Sequence, residues 1–84
     1  MFGDMKRRAN GEAIRAIREA MGIRQDALAA RAGITKSQMS KVEHGANGAS
    51  FEVLARIAAE LSVSFDAITV PVPAPADVPE TATA

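Results

Sequence analysis

The segment from Gln25 to His44 constrains the fold of this chain more than any other. Its apolar spacing predicts two short helices, and Gly33 lies between them. Glycine readily takes the left-handed backbone conformation that a tight corner needs. Ala29 is small, which lets the second of the two helices cross close to the first. The segment therefore predicts two helices packed against each other across a short turn.

The second helix of this pair has two different faces. Ile34, Met39 and Val42 are apolar and are expected to hold the helix against the rest of the chain. The opposite face then carries polar side chains that can form hydrogen bonds, namely Lys36, Ser37, Ser40 and Lys41. A helix presented in this way fits the major groove of B-form DNA, which is about 12 Å wide.

Helical periodicity continues on both sides of this pair. One helix is expected to run from Gly11 to Gly22, a further helix covers the apolar positions of residues 51–61, and a last short turn covers Phe65 to Ile68. The chain thus predicts an all-α fold of five short helices over residues 11–69. Hydroxyl side chains expected to cap helix N-termini belong to Thr35, Ser50 and Ser64.

One core is expected from the apolar side chains on the inward faces of these helices. They are Ile14, Ile17, Met21, Leu28, Ala29, Ala32, Ile34, Met39, Val42, Phe51, Leu54, Ile57, Leu61, Val63, Phe65 and Ile68.

Both ends of the chain are expected to lie outside the helical domain. Residues 1–10 are polar, include Lys6-Arg7-Arg8, and are expected to form a flexible basic arm. All four prolines lie in residues 70–84, among alanines and acidic residues. Because proline lacks the N–H group that helices and sheet ladders use, we expect a disordered, acidic, Pro/Ala-rich tail there.

Composition narrows the classes of function. The 84 residues suffice for one small core. The chain has no cysteine and one histidine, so we expect no disulfide, no metal and no cofactor. It has no acid–base pair, nucleophile motif or phosphate-binding loop, so we expect no enzyme. No apolar run reaches the roughly 18 residues of a membrane helix, and none follows the first charges as in a secretory signal, so we expect a cytoplasmic protein.

The zero net charge hides a strong segregation. Residues 1–45 hold nine basic residues against five acidic ones, a net charge of +4. Residues 46–84 hold one basic residue against five acidic ones, a net charge of −4. This asymmetry favours an anionic partner on one side of the molecule.

Two adjoining stretches carry a resemblance to a known family. They read Arg18-Glu-Ala-Met-Gly-Ile-Arg-Gln-Asp-Ala-Leu-Ala-Ala-Arg-Ala-Gly-Ile and Thr35-Lys-Ser-Gln-Met-Ser-Lys-Val-Glu-His-Gly. Over residues 11–68 the chain resembles the helix-turn-helix proteins that include phage repressors, Cro proteins and the xenobiotic-response-element regulators. The resemblance implies a phage-repressor-like bundle and a sequence-specific, DNA-binding regulator of transcription, a repressor of the phage or mobile-element type.

The resemblance also implies roles for single residues. Arg18 and Glu43 match an ion pair between the first and third helices, and Gln25 matches a residue that contacts a phosphate and braces the reading side chains. The residues implied to contact bases are Lys36, Ser37, Lys41 and Ser40. The resemblance implies contacts to the DNA backbone for Gln25, His44 and Asn47. Further residues expected to contact the backbone are Arg24, Thr35, Gln38, Arg7 and Arg8.

Simpler interpretations stay open for several of these residues. Lys36 and Lys41 could be phosphate contacts or solvated lysines, and Arg7 and Arg8 could belong to a solvated terminus. His44 suits the C-terminal end of a helix dipole. Arg24 departs from the family, which usually has Ser or Thr there. We expect this to remove a helix cap worth about 1 kcal/mol and to add a cation that could reach a phosphate.

One recognition helix reads only a few base pairs, so we expect a dimer on two half-sites of a pseudo-palindromic operator, about one helical turn apart. Candidates for the symmetric contact are Phe51, Phe65 and Ile68. The alternative is a protein-interaction module, such as an antitoxin that docks a partner protein through its acidic tail. A bundle that has lost DNA binding belongs to this alternative.

Overall fold

The computed structural model describes residues 6–45 and 49–72. Within them lie four α-helices, two strands and one 3-10 helix. The bounds are β1 Lys6–Ala9, α1 Gly11–Ala20, α2 Gln25–Ala32, α3 Lys36–Glu43, α4 Phe51–Leu61, the 3-10 helix Phe65–Ile68 and β2 Thr69–Val72. The rest of the predicted arm (1–5), the rest of the predicted tail (73–84) and Asn47 lie outside the described residues.

The prediction of five helices and no strands is wrong in two respects. The fifth helix is a 3-10 helix of four residues. It has no room to become an α-helix, because the backbone is already extended at Thr69, where β2 begins. The fold is also not all-α, since β1 and β2 form a two-stranded sheet.

The two strands are antiparallel, with Arg7 opposite Pro71 and Arg8 opposite Val70. The N–H of Asn10 donates to the carbonyl of Ile68 at 2.8 Å, which continues the same register by one pair. Hydrogen-bonded and non-bonded pairs alternate along an antiparallel ladder, so the Arg7–Pro71 pair is non-bonded. The missing N–H of Pro71 therefore removes no ladder bond, and the prediction that the prolines forbid a sheet is wrong at this position.

The sheet moves the predicted domain boundaries. Residues 6–9 form a strand of the fold instead of a flexible arm, and residues 70–72 form its partner instead of a disordered tail. Local sequence signals miss this pairing because β1 is mostly basic, β2 contains a proline, and each strand is only four residues long.

Local signals succeed at the helix ends. α2 ends at Gly33, whose φ of +79° is left-handed as predicted. α2 also begins without a side-chain cap, as expected from Arg24 at its N-cap position. The predicted N-caps at Thr35, Ser50 and Ser64 are confirmed. Each hydroxyl accepts a hydrogen bond from the backbone N–H three residues further along the chain.

One apolar core lies between the helices and under the sheet. Its buried side chains are Ala9, Ile14, Leu28, Ala29, Ala32, Met39, Val42, Leu54, Ile57, Ala58, Leu61 and Ile68. Two predicted core residues are wrong, because Met21 is 47% exposed and Phe51 is 72% exposed. Met21 lies just past the last turn of α1, and Phe51 is the first residue of α4, so helical periodicity does not determine their direction.

The first turn of α1 lies against the last turn of α3. A Cβ atom at Gly11 would collide with the backbone carbonyl oxygens of Val42 and Glu43. Backbone atoms cannot move aside as a flexible side chain can, so the close approach of the two helices requires glycine at this position. This contact sets where the C-terminal end of α3 lies.

Gly11→Ala is expected to destabilise the protein by about 1–3 kcal/mol, because the added methyl group must push α1 away from α3. Urea unfolding followed by circular dichroism measures the loss. Glu12→Ala is the matched control on the exposed side of the same turn, with an expected loss of at most about 1 kcal/mol. Equal losses for the two variants would contradict the close approach.

Candidate nucleic-acid interface

α3 presents a polar face to solvent. Lys36, Ser37 and Lys41 are exposed and Ser40 is half-buried, so the described chain leaves most of this face open to solvent. On the opposite side Met39 and Val42 are buried in the core. The structure thus gives α3 one face that anchors the helix and one polar face that is free to contact another molecule.

A capping box fixes the start of α3. The Thr35 hydroxyl accepts from the backbone N–H of Gln38 at 3.0 Å, and the backbone N–H of Thr35 donates to Gln38 Oε1 at 2.8 Å. The Thr35 hydroxyl also lies 3.2 Å from Gln38 Oε1 and can donate to it. Both side chains therefore stabilise the first turn, which places Lys36 and Ser37 at a defined helix end.

A buried ion pair fixes the other end of α3. Arg18 donates to Glu43 twice, from Nε to Oε2 at 2.7 Å and from Nη2 to Oε1 at 3.1 Å. The Glu43 side chain is only 1% exposed. Its hydrogen bond raises the pKa of the Arg18 guanidinium above the usual value. The third nitrogen, Nη1, donates to the Ile23 carbonyl at 2.9 Å, so the guanidinium joins α1, the loop after it and α3.

Gln25 extends this network to the first residue of α2. Its amide Nε2 donates to Glu43 Oε1 at 3.0 Å. Gln25, for which the sequence resemblance implies a bracing role, thus forms a hydrogen bond with Glu43. Because the amide has a second N–H, this contact leaves a donor for another acceptor while it fixes the direction of the side chain.

A polar groove of about 420 Å³ runs between these three helices. It is lined by Arg15, Arg18, Glu19, Arg24, Gln25, Asp26, Lys36, Ser40, Glu43 and His44. Sequence reasoning identified most of these residues and missed Arg15, Glu19 and Asp26. Their charge and their position on the helices were the signals that could have identified them. Arg15, for example, lies one turn before Arg18 on α1.

The two arginines of β1 differ in their surroundings, because neighbouring residues of a strand point to opposite faces. Arg7 is partly buried and donates to Thr69 Oγ1 at 2.7 Å and to the Thr69 carbonyl at 3.1 Å. Its Nε atom also lies 3.6 Å from Asp66 Oδ1. The predicted role of Arg7 in a DNA-contacting arm is therefore corrected to a structural one in the sheet.

Arg8 is exposed and lines a second groove, of about 280 Å³, together with His44. His44 lines the first groove as well, so the two grooves meet at the C-terminal end of α3. Its Nδ1 lies 2.8 Å from the Ser40 carbonyl, a contact in which the ring nitrogen donates. Arg8 and His44 are thereby brought to one place, although they are far apart in sequence.

The three candidates for a dimer contact lie in different environments. The Phe51 ring is exposed and the Phe65 ring is half-buried. Their centroids lie 4.9 Å apart, and the interplanar angle is 45°. Ile68 is fully buried, so its predicted role in a dimer contact is wrong. It closes the core at the end of the 3-10 helix, where β2 begins.

Comparison with protein families gives one match. The profile described as helix-turn-helix matches residues 14–68, which leaves both strands, β1 and β2, outside the matched region. No curated protein sequence matches the chain. None of the helices in residues 6–45 and 49–72 has the length and hydropathy to cross a membrane.

Solved structures give a consistent picture. The restriction-modification controller protein C.AhdI from Aeromonas hydrophila is 28% identical over 68% of this chain and 86% of its own, with a TM-score of 0.65. The P22 c2 repressor in complex with a synthetic operator is 33% identical over 69% of this chain and 88% of its own, with a TM-score of 0.66. SinR in its complex with SinI is 32% identical over 67% of this chain, which spans 55% of the SinR chain, with a TM-score of 0.63.

Glu43→Ala is expected to lower the free energy of unfolding by about 3–5 kcal/mol, because it leaves the Arg18 guanidinium buried without its partner. Glu52→Ala removes the exposed partner of Arg56 and is expected to lower it by no more than about 1 kcal/mol. Chemical denaturation of both variants provides the comparison. A loss at Glu43 as small as that at Glu52 would mean that the buried pair does not hold the fold.

Proposed function

The chain belongs to the helix-turn-helix family of DNA-binding regulators, and we propose that it represses transcription by binding a pseudo-palindromic operator as a dimer through the major groove. Its partner is double-stranded DNA. Binding alone produces the effect, since a bound dimer occludes the promoter, and no catalytic step is part of the proposal. It would act at the nucleoid of a bacterial or phage-infected cell.

The observation that carries this proposal is the exposed polar face of α3, which begins at a capped turn and ends at the buried Arg18–Glu43 pair. A rigid helix can place side chains against base edges with little loss of conformational entropy on binding. A lysine suits the N7 and O6 acceptors of guanine, and a serine accommodates several bases. The residues proposed to contact bases are Lys36, Ser37, Ser40 and Lys41.

The grooves beside α3 supply the proposed contacts to the DNA backbone. Gln25 and Arg24 line the larger groove, and Arg8 places a cation near His44 in the smaller one, which Glu12 and Glu43 also line. Such contacts are independent of sequence and set the register of α3 on the duplex. Thr35 and Gln38 are exposed at the capped turn of α3 and are proposed to contact the backbone there. The predicted contact of Asn47, outside the described residues, stays a prediction.

The proposed dimer contact centres on Phe51 and Phe65. An exposed phenylalanine beside a half-buried one forms an apolar patch that a second copy of the chain can cover. A two-fold axis through this patch would make the contact self-complementary and would present two copies of α3 to two half-sites.

A protein partner is the second candidate function. The observation in its favour is the similarity to SinR, whose matched structure is a complex with SinI. Residues 73–84, which include Asp77 and Glu80, are the segment proposed to dock such a partner. An antitoxin is one example of a protein that would dock a partner in this way. DNA selection separates the candidates, because a selected pool that stays random would overturn the operator proposal and leave this one.

Lys36→Ala and Lys41→Ala are expected to relax the preference at particular base positions by about 1–3 kcal/mol each. Arg8→Ala is expected to weaken binding to all sequences alike and to reduce the salt slope by about 1, since it removes a phosphate contact. Selection from random duplexes, followed by titrations at several salt concentrations, measures both effects.

Arg31→Ala is the matched control for these variants, because Arg31 is exposed on α2 and lines neither groove. It should retain the wild-type base preferences. Lysine variants that lose affinity equally for every sequence would overturn the assignment of base contacts and leave α3 as a backbone-binding helix.

Phe51→Ser is expected to weaken dimerisation about tenfold while the monomer stays folded, because an aromatic anchor at the centre of an interface contributes most of its binding energy. Sedimentation equilibrium measures the association, and the steepness of operator binding measures its effect on DNA. Met21→Ser removes the other large apolar side chain that is exposed within residues 6–45 and 49–72, and it serves as the control. Equal association of the two variants would rule out this patch as the contact.

A further inference from the structure

An acidic residue lies among the cations of the larger groove. Asp26 lines it together with Arg15, Arg24 and Lys36. Arg24 Nε donates to Asp26 Oδ1 at 3.1 Å, and Arg24 Nη2 lies 3.4 Å from Oδ2. The carboxylate therefore engages the same two nitrogens that a guanidinium offers to a phosphate.

The pair contributes little to holding the fold. The Arg24 side chain is 82% exposed, and Asp26 is about half exposed. Surface pairs of this kind exchange partners easily, because solvent screens them and both side chains stay mobile. Neither side chain caps α2, which begins without a side-chain cap. The pair is thus free to open when a better anion arrives.

The surroundings keep Asp26 charged. The hydrogen bond from Arg24 lowers the pKa of the Asp26 carboxyl below its usual value, and the charge of Lys36 acts in the same direction. At neutral pH a full negative charge therefore lies beside two cations that the proposed function assigns to DNA. A phosphate that approaches Arg24 must compete with this carboxylate.

We propose that Asp26 is an intramolecular competitor of the DNA backbone: its carboxylate holds Arg24 in the free protein and must release the guanidinium before a phosphate can bind it. The inference rests on the proposed function, because it assumes that DNA occupies this groove. It makes Asp26 a positioning residue that weakens backbone binding on every sequence by a similar factor. Base reading from α3 is expected to change little, because Asp26 pairs directly with Arg24 and Lys36 acts on it only through its charge.

Two consequences follow from electrostatics. Without the carboxylate, Arg24 is free before DNA arrives, so affinity should rise for operator and unrelated duplex alike. The salt dependence should also steepen, by up to about 1 in the log–log slope, because no acidic group is left unpaired beside the DNA in the complex. Both effects should depend on Arg24.

A double-mutant cycle tests the proposal on the full chain. Titrations of the selected operator and a scrambled duplex compare wild type, Asp26→Asn, Arg24→Ala and the double variant at several salt concentrations. Asp26→Asn is expected to bind both duplexes about three- to tenfold more tightly. In the Arg24→Ala background this gain should fall to that of Glu60→Gln, which makes the same charge change on exposed α4 and lines neither groove.

Contrary outcomes are equally defined. A gain that persists without Arg24, or a gain equal to that of Glu60→Gln in the wild-type background, would overturn competition and leave only the effect of net charge. A gain on the operator alone would contradict a role limited to the backbone. Thermal unfolding of each variant confirms that all titrations compare folded protein.

A second measurement needs no DNA, so it separates this inference from the proposed function. NMR titration of the Asp26 carboxyl should give a pKa below the usual value in wild type and a return toward that value in Arg24→Ala. Identical titration in both proteins would overturn the pairing itself. A shift that depends on Arg24, in a protein that prefers no duplex, would instead show that the pair exists and that the operator proposal has failed.

Discussion

The buried pair of Arg18 and Glu43 is the interaction on which the rest of the structure depends. It joins α1 to the end of α3, and through Gln25 it also ties down the beginning of α2. A charge pair removed from water is stable only when its geometry satisfies both partners, and here both carboxylate oxygens accept from Arg18. The close approach at Gly11 fixes the same end of α3 through backbone contact. The outer face of α3 is consequently rigid although it is exposed.

The recognition face of α3 and the charged side chains beside it differ in rigidity. The side chains of α3 project from a helix fixed at both ends, whereas Arg15 and Arg24 of the neighbouring groove lie in exposed pairs with Glu19 and Asp26. The rigid part suits base reading, which depends on direction, and the adjustable part suits phosphate binding, which tolerates small displacements. The chain as a whole is neutral, so the proposed DNA-binding face depends on this local arrangement of charge more than on net charge.

Much of the fold could be predicted because its signals act within a single turn. The cap at Thr35, the left-handed Gly33 and the uncapped start of α2 at Arg24 depend only on neighbouring residues. The positions of Lys36 and Lys41 on the free face follow from helical spacing in the same way. The prediction that Met21 belongs to the core is wrong because helical periodicity does not indicate where a helix ends.

By itself, the sequence determined which segments form α1 to α4, the N-caps at Thr35 and Ser50, and which face of α3 is polar. Tertiary structure alone decided that Arg7 serves the sheet and Arg8 the groove, that Gln25 bonds to Glu43, and that Ile68 is buried. The physical reason is distance along the chain. Arg7 and Thr69 lie 62 residues apart, and no local preference in either strand encodes the partner that completes it.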